Sequence, residues 1–206
     1  MKTVIYLIVM VCLISQAAIA QNDTSAVSVA RESLTNFKKS ISRENYKQFN
    51  FSSFEEGQNS TLGEEVTNQY IRLDELKSFK EGNSPDQLIK STGRKIVALN
   101  NSNQDVVGSV ELEKTKGKWT MKSIGRSTVI SDYVRFTRQG SGGGWVLLRV
   151  LALNRNFAAH KVQNQWMVTL LGNVPLGDIR PGVEESLTKV MPELQKEANT
   201  YNGLPW

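Results

Sequence analysis

Residues 94–124, RKIVALNNSNQDVVGSVELEKTKGKWTMKSI, decide the fold. The runs RKIVALN (94–100), VVGSVELE (106–113) and KWTMKSI (118–124) are separated by the turn-rich segments NSNQD and KTKG. Trp119 and Met121 alternate with Thr120 and Lys122, the period of a strand with one buried face and one wet face. Three short runs joined by tight turns predict an antiparallel meander.

Outward from this core, a second β set is predicted at 145–153 (WVLLRVLAL), 157–162 (FAAHKV) and 166–171 (WMVTLL). Asn154-Arg155-Asn156 and Gln163-Asn164-Gln165 serve as its turns. WVLLRVLAL is nearly continuous in apolar residues, as a central strand is. Looser alternation predicts a further strand at 66–73.

Helical periodicity marks three segments. In 24–41, Val27, Ala30, Leu34, Phe37 and Ile41 make one stripe behind the natural caps Asp23 and Thr24, with Tyr46, Phe49 and Phe51 packing beside it. In 127–138, Val129, Ile130, Tyr133, Val134 and Thr137 oppose Asp132, Arg135 and Arg138. The last helix carries Val183, Leu187, Val190, Leu194, Ala198 and Tyr201, with Pro192 expected to kink or split it, Asn202-Gly203 to stop it, and Leu204-Pro205-Trp206 to dock back. Ser84-Pro85-Asp86 starts a short helix bearing Leu88 and Ile89. Residues 52–65, 139–144 (QGSGGG) and 173–182 read as loops. The expected fold is α+β, with antiparallel β-meanders packed against amphipathic helices. Residues 21–206 form a single domain, or two subdomains meeting near 139–144, and the pattern leaves open whether the two β sets share one sheet.

The N-terminus predicts export. Lys2 precedes the apolar run VIYLIVMVCLIS (4–15), and Ala18-Ile19-Ala20 supplies the small-x-small pattern of a cleaved signal, so residues 1–20 are read as a signal peptide. The run is shorter than the about 20 apolar residues a membrane span takes, so no transmembrane anchor is expected. The processed chain is then expected to be periplasmic or extracellular. Lys2 is the only charge lost, which leaves a net charge of about +4 from the +5 of the 206-residue chain. Cys12 goes with the signal, so neither a disulfide framework, a cysteine-built zinc site nor a thiol nucleophile is open to the mature protein.

The remaining chemistry is sparse. The lone His160 lies in FAAHKV, and no serine sits in a G-x-S-x-G elbow: Gly140-Ser141-Gly142 lacks the glycine two residues before the serine. The aspartates are scattered outside any D-x-D-x-D-G loop, so no metal is expected. Glu55-Glu56, Glu64-Glu65, Asp74-Glu75 and Glu184-Glu185 are adjacent pairs of the solvated kind, and dipole compensation accounts for Glu184 and Glu185 near a helix start. Gly142-Gly143-Gly144 lacks the Lys-Ser/Thr of a phosphate loop and runs into Trp145. Neither a catalytic residue nor a cofactor is assigned. Sequons at Asn22, Asn50, Asn59 and Asn100 matter only in a cell that N-glycosylates.

One basic cluster stands out. Lys114, Lys116, Lys118 and Lys122 surround a β-turn beside Trp119, and Arg94 and Lys95 join them across the meander. Cations with an aromatic can hold an anionic polysaccharide, while lysines along an edge also guard it against aggregation. Export argues against nucleic acid as the partner.

The stretch LGEEVTNQYIRLDELKSFKEGNSPDQLIKSTGRKIVALNN with VVGSVELEKTKGKWTMKSIG, about residues 62–125, resembles a segment of small secreted proteins of unknown function from Gram-negative bacteria. The shared layout is a strand (Tyr70 to Leu73), an L-x-x-F turn (Leu76 to Phe79), a Pro-started helix (Pro85 to Ile89) and a meander closing on G-x-W (Gly117 to Trp119). The resemblance implies a bacterial envelope setting and brings no activity and no catalytic residue. Helices on an antiparallel sheet are also similar in outline to cystatin-like folds and protease pro-domains, an analogy of fold only.

The expectation is therefore an exported, non-catalytic binding or accessory domain of the bacterial cell envelope, contacting a protein or an anionic glycan through its sheet face or the 139–144 loop. The alternatives are an envelope hydrolase using His160 with a serine and a carboxylate, and a protease inhibitor or pro-domain-like partner with an exposed apolar wedge.

Overall fold

A computed structural model describes residues 25–80, 82–140 and 143–203. The predicted export signal, the caps Asp23 and Thr24, residues 141–142 of the glycine loop and the Leu204-Pro205-Trp206 tail lie outside the described residues. In chain order the elements are α1 (Ala26–Ser40), α2 (Phe54–Asn59), β1 (Thr61–Ile71), α3 (Leu73–Ser78), β2 (Ile89–Asn100), β3 (Val106–Thr115), β4 (Lys118–Gly125), α4 (Thr128–Gln139), β5 (Val146–Val150), β6 (Arg155–Val162), β7 (Gln165–Leu170), β8 (Glu184–Ser186) and α5 (Leu187–Thr200).

The two β sets make one eight-stranded sheet in the order β4-β3-β2-β1-β5-β6-β7-β8. Every pairing is antiparallel except the seam, where Asn68, Gln69 and Tyr70 of β1 run parallel to Leu147, Leu148 and Arg149 of β5. The meander of 94–124 is β2, β3 and β4, closed by the expected turns. Lys116 and Gly117 take φ of 50° and 81°, and Gln163 and Asn164 take 47° and 65°. Positive φ at both central residues is the twist-compatible geometry of a two-residue hairpin.

Side-chain alternation assigns the layers. Val97 and Leu99 on one face pack under Ala30, Leu34 and Phe37 of α1. Leu148, Val150 and Phe157 meet Val190, Met191 and Leu194 of α5. Register across the seam puts these two clusters on the same face. Ile96, Ala98, Leu147 and Ala158 point the other way, beneath Ile130, Tyr133 and Val134 of α4. One face is thus roofed by α1 and α5, with α2 and α3 packed beside them, and the other by α4. The fold is α+β, and no helix among the described residues is long and apolar enough to cross a membrane.

Several boundaries differ from expectation, each for a local reason. The polar stretch 52–65 is not a loop. Ser53 caps α2 by accepting from the Glu56 amide at 3.0 Å, while the Glu56 carboxylate accepts from the Ser52 amide at 2.6 Å, a capping-box arrangement. Ser25 caps α1 and Ala26 joins the buried stripe, leaving Val27 exposed. The WVLLRVLAL run stops being a strand at Val150: a 3-10 turn at Leu151–Leu153 ends on left-handed Asn154 and reverses the chain into β6. Arg155 and Asn156, expected in a turn, begin that strand. Val183 lies before the last helix, and residues 184–186 instead pair with β7 as an edge strand. Pro192 does not split α5. It sits in the second turn, where its missing N–H frees only the Thr188 carbonyl.

Candidate functional site

Opposite Asn68, β2 is irregular. Thr67 pairs with Lys95 and Gln69 with Ser91, so Thr92, Gly93 and Arg94 together face the single residue Asn68. Gly93 at φ 64° makes this bulge, a conformation that costs a residue with a Cβ about 1–2 kcal/mol. Thr92 stitches it: its hydroxyl donates to the Asn68 carbonyl at 3.0 Å and accepts from the Arg94 amide at 2.9 Å. The bulge lies beside the seam, since Asn68 also pairs with Leu147 of β5. A cleft of about 230 Å³ opens there, lined by Asn68, Tyr70, Thr92, Arg94, Glu113, Arg149 and Leu151.

Arg149 is the centre of this cleft. It is the one charge in the apolar β5 run, and strand alternation turns it toward the α4 side, next to Leu147. Half-buried, its Nε donates to Asn156 Oδ1 at 3.0 Å, and its terminal nitrogens make no hydrogen bond to any described residue. Burial pulls its guanidinium below the ordinary arginine value; Glu111 opposes this and Arg94 reinforces it. It remains a cation at neutral pH. Asn68 is 4 % exposed, and its Oδ1 is shut from solvent without a partner. An amide oxygen left so costs about 1–3 kcal/mol until a donor reaches it. Arg149 also lines a second cleft of about 300 Å³ that runs under the N-terminus of α4 past Ser109, Glu111, Ser123 and Arg126.

The sequence-derived lysine cluster is divided by the sheet. Lys114 pairs with Trp119 across β3–β4. Lys114 and Lys95 stand over the Trp119 ring at 5.7 and 5.8 Å, on the α1 side, with Lys95 bound to Glu65 at 2.5 Å. Lys118 opposes Thr115, and Lys122 reaches Glu113 at 3.0 Å on the other face, beside the bulge cleft. Lys122 first, then Arg94, hold the Glu113 carboxyl below the usual carboxylate range. Lys116 occupies the turn itself. Trp119 packs against the α1 core, so these side chains are brought near one turn without forming one patch.

His160 is 8 % exposed. Its Nε2 meets Glu184 Oε1 at 2.8 Å, and its ring stacks on Trp145 at 3.9 Å. No serine or threonine hydroxyl hydrogen-bonds to it among the described residues, and none of the clefts described takes a wall from it. The pair has a base and an acid but no nucleophile, and the imidazole is occupied on one edge and one face. The tips at Lys116-Gly117 and Gln163-Asn164 are polar, while the β5–β6 turn exposes Leu151 and the segment before β8 exposes Val174 and Val183. Among the described residues, no group of three or more His, Cys, Asp or Glu comes together as a metal site.

A larger cleft, about 630 Å³, lies on the far side between Phe79, Trp166, Met191 and Pro192. Asp86 holds its rim, accepting from Lys161 Nζ at 2.6 Å and Trp166 Nε1 at 2.8 Å. Lys161 first, with the Ser84 hydroxyl and the Trp166 indole, keeps the Asp86 carboxyl below its ordinary value against the cost of burial. A carboxylate with a depressed folded pKa adds stability that is present above its unfolded pKa of about 3.9 and is lost as pH falls through the folded value. Urea unfolding is therefore expected to show Asp86→Asn destabilised relative to wild type at pH 7, with the gap closing toward pH 3. A gap that does not change with pH would remove Asp86 from the acid response.

Compared with protein-family models, curated proteins and solved structures, the chain matches none of the three.

Proposed function

We propose that this chain is an exported, non-catalytic binding domain of the bacterial cell envelope that contacts an anionic partner, a glycan in the first place, through the incompletely roofed face of its sheet. The observation that supports this reading is Arg149: a guanidinium drawn partly out of water on a central strand, with a neutral amide as its one hydrogen-bonded partner among the described residues and its two terminal nitrogens uncommitted to them. Such a group is costly in a resting fold and is stabilised when a carried-in anion neutralises it. The sequence pattern supports the same reading, since it holds no G-x-S-x-G elbow and no phosphate loop, and its one cysteine, Cys12, lies in the predicted signal. The N-terminal pattern is what supports export.

The test uses the processed protein immobilised and challenged with acidic and neutral envelope polysaccharides. Retention of the acidic polymers, weakened as salt is raised from about 0.1 M to about 1 M, is expected, because the Debye length shrinks from about 10 Å to about 3 Å. Turnover of a hydrolase substrate library, abolished in His160→Ala and accompanied by no retention, would instead establish the hydrolase.

A further inference from the structure

Resting on that binding reading, we infer that the cleft at the β2 bulge is a subsite for a single carboxylate-bearing sugar ring, a uronic-acid residue, with Arg149 receiving the carboxylate.

Size sets the first limit. At about 230 Å³ the cleft is smaller than sites for drug-sized ligands, roughly 300–1,000 Å³, and suits one ring. Charge sets the second. Arg94 is committed to Glu111 and Glu113 at 3.4 and 3.2 Å, and Lys122 to Glu113 at 3.0 Å. Arg94, Lys122 and Arg149 thus face Glu111 and Glu113, and the cation left over is Arg149. Its free fork of two terminal nitrogens matches the plane of a carboxylate, which accepts both in parallel.

The remaining walls select what carries that carboxylate. Asn68 Oδ1 is a buried acceptor with no donor, and the Glu113 carboxylate is a second acceptor on the lining. Asn68 Oδ1 lacks a donor among the described residues, and Glu113, already accepting from Arg94 and Lys122, keeps lone pairs for one more; ring hydroxyls suit both. Tyr70 supplies an aromatic surface, and Leu151, 53 % exposed, supplies an aliphatic one. A sugar ring has an apolar C–H face for these and hydroxyls for the acceptors. A fatty carboxylate brings no hydroxyl and would leave Asn68 Oδ1 without a donor. Leu151 and Arg94 reach solvent at the rim, so adjoining rings of a polymer can leave the cleft in either direction.

The experiment is calorimetric titration of the processed protein with galacturonate and glucuronate trimers, against neutral trimers of the parent sugars and inorganic phosphate, with amide and guanidinium NMR shifts followed on wild type. One of the acidic trimers is expected to bind at least tenfold more tightly than its neutral counterpart. It should shift Asn68, Thr92 and the Arg149 side chain, and equimolar phosphate should not displace it. Arg149→Gln is expected to bring the acidic trimer down to the neutral level, and Arg149→Lys, which keeps the charge and loses the fork, to fall between. Equal binding of acidic and neutral trimers, shifts confined to the Trp119 hairpin, or displacement by phosphate would each overturn the assignment; the wild-type shifts decide the matter even if a variant fails to fold. Arg149-dependent retention of some other acidic polymer with no response to either uronate would overturn this subsite and leave the binding reading standing. Loss of all anion binding would end both.

Discussion

Phe157→Ala is expected to lower the unfolding free energy by about 3–5 kcal/mol, the range for removing a buried ring and leaving a cavity behind it. Phe157 is fully buried on β6, with Leu148 and Leu170 as its cross-strand partners. It belongs to the cluster in which Val190, Met191 and Leu194 of α5 meet the sheet. Leu148 and Leu170 are held by the strand ladders on its two sides, so they cannot collapse into the space that the ring leaves. Urea denaturation monitored by far-UV circular dichroism measures the effect directly. A loss under 1 kcal/mol would mean that this cluster is far looser than its burial indicates.

Glu197→Gln is the second large effect. Arg155 grips the Glu197 carboxylate with two contacts of 2.9 Å, Nε to Oε2 and Nη2 to Oε1, while Nη1 donates to the Val174 carbonyl at 3.1 Å. The two side chains are only 15 % and 18 % exposed. Neutralising the acid leaves a guanidinium with little water and no counter-charge. The expected cost is about 2–3 kcal/mol, below the roughly 3–5 of a fully enclosed pair because some solvent reaches both groups. Replacing both residues, Arg155→Met with Glu197→Leu, is expected to recover most of the loss, since the burden lies in the unpaired charge rather than in the missing attraction. A double-mutant cycle in urea checks both statements. A single-variant cost within about 0.5 kcal/mol would class the bridge with ordinary surface pairs.

What was legible in the sequence followed periodicity. The three runs of 94–124 became β2, β3 and β4 because their strand-forming residues and turns agree, although Met121, expected on the buried face of β4, is 44 % exposed at the end of the sheet. The α1 and α4 stripes held because steps of three and four residues leave one face to bury. What escaped was decided by neighbours. The chain turns at Leu151 because the hairpin to β6 must close, and nothing in WVLLRVLAL marks that point. Glu184 to Ser186 became a strand because β7 offers an open edge, although their residues read as a helix start. The join of the two β sets, the parallel contact of Asn68–Tyr70 with Leu147–Arg149, is a long-range pairing with no local mark.

The same division applies to the site. The lysines around Trp119 are visible as a cluster in the chain, yet the pleat sends Lys114 and Lys122 to opposite faces. Arg149 carried a signal that composition hides: one cation inside a strand-length apolar run. A charge there must be satisfied or used, and on a central strand it lies where a partner has to come to it. Asn68 and Gly93 gave no such signal, because the bulge that joins them is a property of register.

The most direct measurement is a pair of binding isotherms, acidic polysaccharide against wild type and against Arg149→Gln at one fixed salt concentration, with both proteins shown to be folded. The account predicts an affinity at least tenfold weaker for the variant. Superimposable isotherms would contradict it, because the sheet face would then bind without the uncommitted fork of Arg149.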